Sequence, residues 1–178
     1  KSMEFTGDGI QYLSMDDRFA ITNMAIEAGG KNGIFPVDEL AIEYMKEHST
    51  KPYTIYEADE DAVYDKVIDI NLSELKPLIA CPHSPDNVKE VSALSGMRID
   101  QVCIGSCTNS SLLDLLKVAA LLKGKTVAPG VSLSISPGSR QVLTMLSECG
   151  ALADILASGA RLLECACGPC IGMGFSPN

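Results

Sequence analysis

The sequence predicts an α/β fold, layered α/β/α with mixed, partly parallel sheets. Three observations carry that prediction. In the second half, short apolar runs alternate with helix-length amphipathic runs, the pattern of strands joined by covering helices. In the first half, two helix-period segments open on start signals and precede β-branched, aromatic stretches. Third, clusters of Gly, Ser and Cys fall just after predicted strands, at the edge where open α/β sheets bind ligands. A chain of 178 residues removes roughly two-thirds of its unfolded surface from water on folding, enough for one large domain or two small ones.

Taken in order, Ser14-Met15-Asp16-Asp17 matches a capping box, with Ser14 as N-cap and Asp17 closing back on it. The run "MDDRFAITNMAIEAGG" that follows has helical period. Met15, Phe19 and Ile26 supply an apolar stripe, and Gly29-Gly30 supplies a stop. "VDELAIEYMKEHS" over 37–49 reads as a second amphipathic helix with acids in its first turn. "YTIY" and "KVIDINL" read as strands around the acidic turn "EADEDA", and Pro77, Pro82 and Pro85 punctuate a connection. A domain boundary is expected near residue 90, giving domains over 1–90 and 91–178. Beyond it, "DQVCIGS", "VSLSIS" and "ARLLECA" read as strands, and "SLLDLLKVAALLKG", "RQVLTMLSECG" and "ALADILASG" as helices.

The net charge is −9, which counts against a broad basic surface for nucleic acid. No apolar run approaches the length of a membrane span, and no charged-then-apolar leader opens the sequence. The first residues read like mid-protein sequence and the last stop inside a Gly-rich loop, so the sequence is expected to be an internal piece of a longer protein. Seven cysteines without regular spacing until the final CxxC suit a reducing compartment with thiolate or metal chemistry.

Cys167 and Cys170 are spaced to clamp one centre. Gly168 permits an unusual backbone angle, Pro169 stiffens the loop, and Gly172 and Gly174 leave room for a bulky inorganic group. Cys107 sits in "GSCTNSS", a strand-to-helix turn whose N–H groups can donate to anionic sulfur. Three thiolates at two such turns suit a soft metal centre. A lone CxxC also fits zinc, a redox disulfide or coincidence. His48 and His83, the two histidines, have no ligand spacing to the cysteines. Cys81, Cys103 and Cys149 are expected to be buried apolar residues, and Cys165 is a rival to Cys167.

"IGSCTNSS" together with "ACGPCIG" resembles the aconitase family of iron–sulfur hydro-lyases. The similarity extends back through "LSMDDRFAITNMAIEAGGKNGIFPVDE" and covers nearly the whole chain. The resemblance implies two aconitase-type subdomains, the first carrying an Asn-x3-Glu helix and the second a [4Fe-4S] cluster. It implies that Cys107, Cys167 and Cys170 ligate three irons and leave one iron without a cysteine. It places Asn23 and Glu27 near cluster and substrate, on one helix face if the helix runs through both. Asn109 and Ser110 become donors around the cluster. Ser139 and Arg140 are weaker candidates; an N-cap and a surface charge explain them equally.

Other implications concern the reaction and its setting. The resemblance implies dehydration and rehydration of a hydroxy-acid in the cytoplasm. "CGPCIGMG" after "SPGSR" leans towards aconitate hydratase, with citrate and isocitrate as substrates in the tricarboxylic acid cycle. "NMAIEAG" leans towards the alternative, the large subunit of 3-isopropylmalate dehydratase (leucine biosynthesis) or of homoaconitate dehydratase. The family's Asp-His, Ser-His and Arg-rich segments and its swivel domain, fused or a separate small subunit, are missing. The isolated piece is therefore expected to be inactive and to keep little cluster in air. A cluster-sensing RNA-binding protein is the reading of another class, and the acidic balance counts against it.

Overall fold

The computed structural model of the chain describes residues 1–173. It is α/β, with parallel and antiparallel strand pairs in three small sheets. Two compact units divide it, one comprising Lys1–Ser95 and the other running from Gly96 onward.

In the first unit, strand β1 (Ser2–Glu4) pairs in parallel with β2 (Asn32–Ile34), and helix α1 (Met15–Met24) connects them. The capping box forms as its residues dictate. The Asp17 N–H donates to Ser14 Oγ at 3.2 Å, and the Ser14 N–H donates to Asp17 Oδ2 at 2.9 Å. The expected stop at Gly29-Gly30 is not where the helix ends. The helix stops at Met24, and the Ala25, Glu27 and Gly29 N–H groups donate three residues back, to Thr22, Met24 and Ile26. Thr22 is β-branched and its hydroxyl donates to the Phe19 carbonyl at 3.0 Å, which competes with the regular ladder.

The expected apolar stripe on this helix is also replaced. Phe19 is exposed, and the one buried residue of α1 is Arg18. Its guanidinium donates to both oxygens of Asp38 at 2.8 and 2.6 Å and to the Ile10 carbonyl at 3.2 Å. It also lies 5.8 Å from the Phe35 ring centroid. Asp38 in turn N-caps α2 (Glu39–His48), accepting from the Ala41 N–H at 3.0 Å. One carboxylate thus neutralises a buried cation and starts a helix.

"YTIY" and "KVIDINL" do not form strands. Strand propensity expresses a fit to a half-buried pleated surface, and these residues lack one: Tyr56 is 84% exposed and Val67 74%. The hairpin forms instead from β3 (Leu78–Ala80) and β4 (Val88–Glu90), antiparallel, inside the stretch expected to be a connection.

In the second unit, β5 (Gln101–Gly105), β6 (Ser132–Ser136) and β7 (Arg161–Leu162) form a parallel sheet in chain order. Helix α3 (Leu112–Leu122) links the first pair, and α4 (Arg140–Glu148) with α5 (Ala151–Ala157) links the second. Leu115, Ala119, Leu146, Ala151 and Ile155 of these helices share one core with Leu133 and Ile135 of β6, and Val102 and Ile104 of β5 pack on it. Alternate strand residues therefore face the helices. Ser134 and Cys103 lie between them on the other face, with Ser134 Oγ donating to Cys103 Sγ at 3.4 Å.

The Arg18–Asp38 pair makes the first unit acid-sensitive. Hydrogen bonds from Arg18 hold the Asp38 carboxyl below the usual carboxylate range. A folded pKa below the unfolded one gives stability that is complete above about pH 4 and lost as pH falls through the folded value. Asp38→Asn is expected to cost about 3 kcal/mol at neutral pH by stranding Arg18. It should also flatten the acid limb of stability below pH 4, followed by circular dichroism; an acid limb of unchanged steepness contradicts the assignment.

Candidate functional site

Parallel pairing sends the C-terminal ends of β5, β6 and β7 to the same edge of the sheet. Cys107 follows β5, Ser139 follows β6, and Cys167 and Cys170 follow β7. The edge is held together backbone to backbone. The Ser106 N–H donates to the Ser136 carbonyl at 2.9 Å, the Gly138 N–H to the Ser110 carbonyl at 3.1 Å, and the Leu163 N–H to the Ile135 carbonyl at 2.9 Å. Two glycines make this approach possible. A Cβ on Gly105, whose φ is +100°, would stand 2.0 Å from the Ser136 carbonyl oxygen, and one on Gly138 would stand 2.7 Å from Ser110 Oγ.

The Cys107 turn is tightly wound. Ser106 (φ +85°) and Asn109 (φ +54°) are non-glycine residues in the left-handed region. Ser110 is buried, and its hydroxyl donates to the Ser106 carbonyl across the turn. That single proton braces the loop, so Ser110 supports Cys107 from beneath. Ser111 then caps α3 through a second capping box with Asp114.

Cys170 is the middle residue of a single 3-10 turn, Pro169–Ile171, Cys167 precedes its N-cap Gly168, and both cysteines are exposed. Backbone hydrogen bonding at Gly168, then the Ser106 hydroxyl, then Cys167 lower the Cys170 pKa against the opposing effect of burial, favouring thiolate. Ser106 Oγ lies 3.7 Å from Cys170 Sγ and 3.5 Å from the Ala166 carbonyl. The residue before Cys107 thus touches the loop that carries the other two cysteines.

The donors suit a soft, positively charged centre: three exposed thiols on two adjoining loops, one already drawn towards thiolate. Beside them, a Cβ on Gly172 would meet nothing within 4 Å. The three are not drawn into a closed triad. Cys107 Sγ lies 3.6 Å from Thr108 Oγ1, and among the described residues no three His, Cys, Asp or Glu side chains are gathered to hold a metal ion. Thiolates repel one another until a cation lies between them, so metal binding and closure of such a site are coupled. Gly174 lies outside the described residues.

Other candidates fall elsewhere. Ser139 is the N-cap of α4, accepting from the Val142 N–H at 3.2 Å, and Arg140 is exposed. Cys103 and Cys149 are exposed and Cys81 is half-buried, against the expectation of burial. Cys103 sits on the face of β5 opposite the Val102 and Ile104 side chains that pack on the core, and Cys149 sits at the C-cap of α4. Asn23 and Glu27 belong to the first unit and are exposed. They do not share a helix face, because α1 ends between them and Glu27 sits in the following turn. Ser106 was not singled out from sequence; its signal is a hydroxyl residue in place of glycine at a strand-to-turn corner.

The model of the aconitase family (aconitate hydratase) matches residues 1–96 and 89–177. The chain belongs to the aconitase family. It is 53% identical over 172 residues to the 3-isopropylmalate dehydratase large subunit of Clostridium botulinum (strain Alaska E43 / Type E3), covering 97% of this chain and 41% of that protein. It is 52% identical over 177 residues to the protein of the same name from Clostridioides difficile (strain 630), covering 97% and 42%. It is 51% identical over 173 residues to the 2,3-dimethylmalate dehydratase large subunit of Eubacterium barkeri, covering 97% and 41%. The chain therefore spans about two-fifths of the length of these relatives. Their names favour the 3-isopropylmalate dehydratase alternative over the expected aconitate hydratase.

The seam at the sheet edge yields a paired test. Gly105→Ala combines a left-handed backbone with overlap on the Ser136 carbonyl and is expected to cost more than about 4 kcal/mol in denaturant unfolding of the second unit. Gly124→Ala, at φ +70° with open space around it, should cost about 1–2 kcal/mol. Equal losses contradict the close approach.

Proposed function

We propose that this chain is the cluster-bearing part of the large subunit of an iron–sulfur hydro-lyase acting on an alkyl-substituted malate, 3-isopropylmalate first. The observation that carries the site is the contact of Ser106 with Cys170, which joins the Cys107 turn to the CxxC turn at one sheet edge. Support for the substrate class comes from relatives named for 3-isopropylmalate and 2,3-dimethylmalate. Both names describe a malate core with alkyl substituents, where citrate would bring a further carboxylate.

In this reading, residues 91–178 form the cluster-bearing domain, and Cys107, Cys167 and Cys170 hold three irons of a [4Fe-4S] cluster. When bound, such a cluster supplies one iron without a cysteine as a Lewis acid for the substrate's hydroxyl. The chain's own work is positional. The Gly105–Ser136 seam fixes the height of Cys107, and Ser110 braces its turn. Residues 1–90 carry Asn23 and Glu27, the candidates for substrate contact that the family resemblance names, with Glu27 in the turn after α1. The base that removes the carbon-bound proton belongs to parts of the protein beyond this chain, including a small subunit that the relatives' designation as large subunits suggests.

A second reading, 2,3-dimethylmalate as the substrate, has the 51% identity to the Eubacterium barkeri protein behind it. The test is anaerobic assay of the complete large subunit with its small subunit on 3-isopropylmalate, 2,3-dimethylmalate and citrate. Turnover of 3-isopropylmalate at least about tenfold more efficient than the others, a difference of roughly 1.4 kcal/mol in transition-state binding, is expected. Preference for citrate contradicts the proposal. In the same protein, Cys107→Ser, Cys167→Ser and Cys170→Ser should each lose bound iron and activity together, whereas Cys149→Ser keeps both. Full iron content in Cys107→Ser removes Cys107 from the centre.

A further inference from the structure

Ser106 occupies a position whose backbone asks for glycine. Its φ is +85°, a conformation that costs any residue with a Cβ and costs glycine little. A strained non-glycine residue that persists points to a task for its side chain. Its backbone bond does not need that side chain, because the N–H to Ser136 would survive in any residue but proline. The side chain is buried and lies against two atoms of the loop after β7, the Ala166 carbonyl oxygen and Cys170 Sγ. Both lie some sixty residues further along the chain. Cys107 is the next residue. One hydroxyl therefore stands between the turn bearing one cysteine and the loop bearing the other two.

We propose that Ser106 is a positioning residue that docks the Cys167/Cys170 loop against the Cys107 turn and donates its hydroxyl proton to the Cys170 sulfur. The inference rests on the reading that these three cysteines hold one centre. When Cys170 is a metal-bound thiolate it has no proton of its own, so the hydroxyl is the donor. The bond then draws electron density from the sulfur and raises the reduction potential of the centre. In the metal-free chain the same hydroxyl ties residues 163–173 to the turn.

Ser106→Gly and Ser106→Ala separate this role from a backbone role. Glycine relieves the left-handed strain, so a merely structural Ser106 predicts a turn at least as stable and an unchanged CxxC loop. Wild type and both variants would be reconstituted anaerobically with ferrous iron and sulfide, and the potential of the centre read by an EPR-monitored titration. Amide hydrogen exchange of residues 163–173 would be measured on the metal-free proteins. Both variants are expected to shift to lower potential and to exchange about fivefold to tenfold faster in 163–173, the scale of one lost hydrogen bond. Wild-type potential and wild-type protection in Ser106→Gly overturn the proposal. Failure of wild type to take up iron defeats the shared-centre reading instead, and Ser106 is then decided by exchange alone: unchanged protection in Ser106→Gly overturns it, and faster exchange upholds the docking role.

Discussion

Parallel pairing of three strands in chain order is the constraint on which the second unit depends. Parallel strands cannot be joined by hairpins, so each connection climbs back over the sheet as a helix. Crossovers of one hand with strands in sequential order put those helices on one face, where Leu115, Leu146 and Ile155 bury against Leu133 and Ile135. The same arrangement brings every strand out at one edge. Residues 64 apart in sequence, Ser106 before Cys107 and Cys170 in the turn after β7, become neighbours without any long-range element between them. The chemistry of the edge follows from topology first and from residue type second.

The close approach of that edge is a matter of missing atoms. Where Gly105 meets Ser136 and Gly138 meets Ser110, no side chain fits, and the loops bond through their backbones. Such a seam is stiff, which suits a site whose ligands come from separate turns. The first unit is built on another principle. Its buried α1 residue is a cation, neutralised by an Asp38 carboxylate that also caps the next helix. A single residue there couples charge neutralisation to chain direction.

Much of the second unit is legible in the amino-acid sequence, because its signals are local and agree with its packing. "SLLDLLKVAALLKG" reads as a helix and forms α3, Ser139 caps α4, and "VSLSIS" reads as a strand and forms β6. The first half misleads where a local preference has no surface to satisfy it. "YTIY" has the composition of a strand and stays exposed, while "PLIA" and "NVKEV", broken by prolines, form the hairpin. The Arg18–Asp38 pair escapes sequence reading because helix period treats Arg18 as an outward residue. Ser106 escapes because φ is not written in residue type. The early end of α1 escapes because Thr22 bonds its own turn, which alters how Asn23 and Glu27 are presented.

A three-cysteine centre at one sheet edge is the central claim, and iron-57 Mössbauer spectroscopy on the anaerobically reconstituted protein tests it most directly. Three thiolates around a four-iron cluster leave one iron chemically distinct. The account predicts a spectrum in which one iron site in four separates from the rest and responds on its own to added 3-isopropylmalate. Four equivalent irons that ignore the substrate, or iron held in a mononuclear site by the CxxC pair alone, would contradict it.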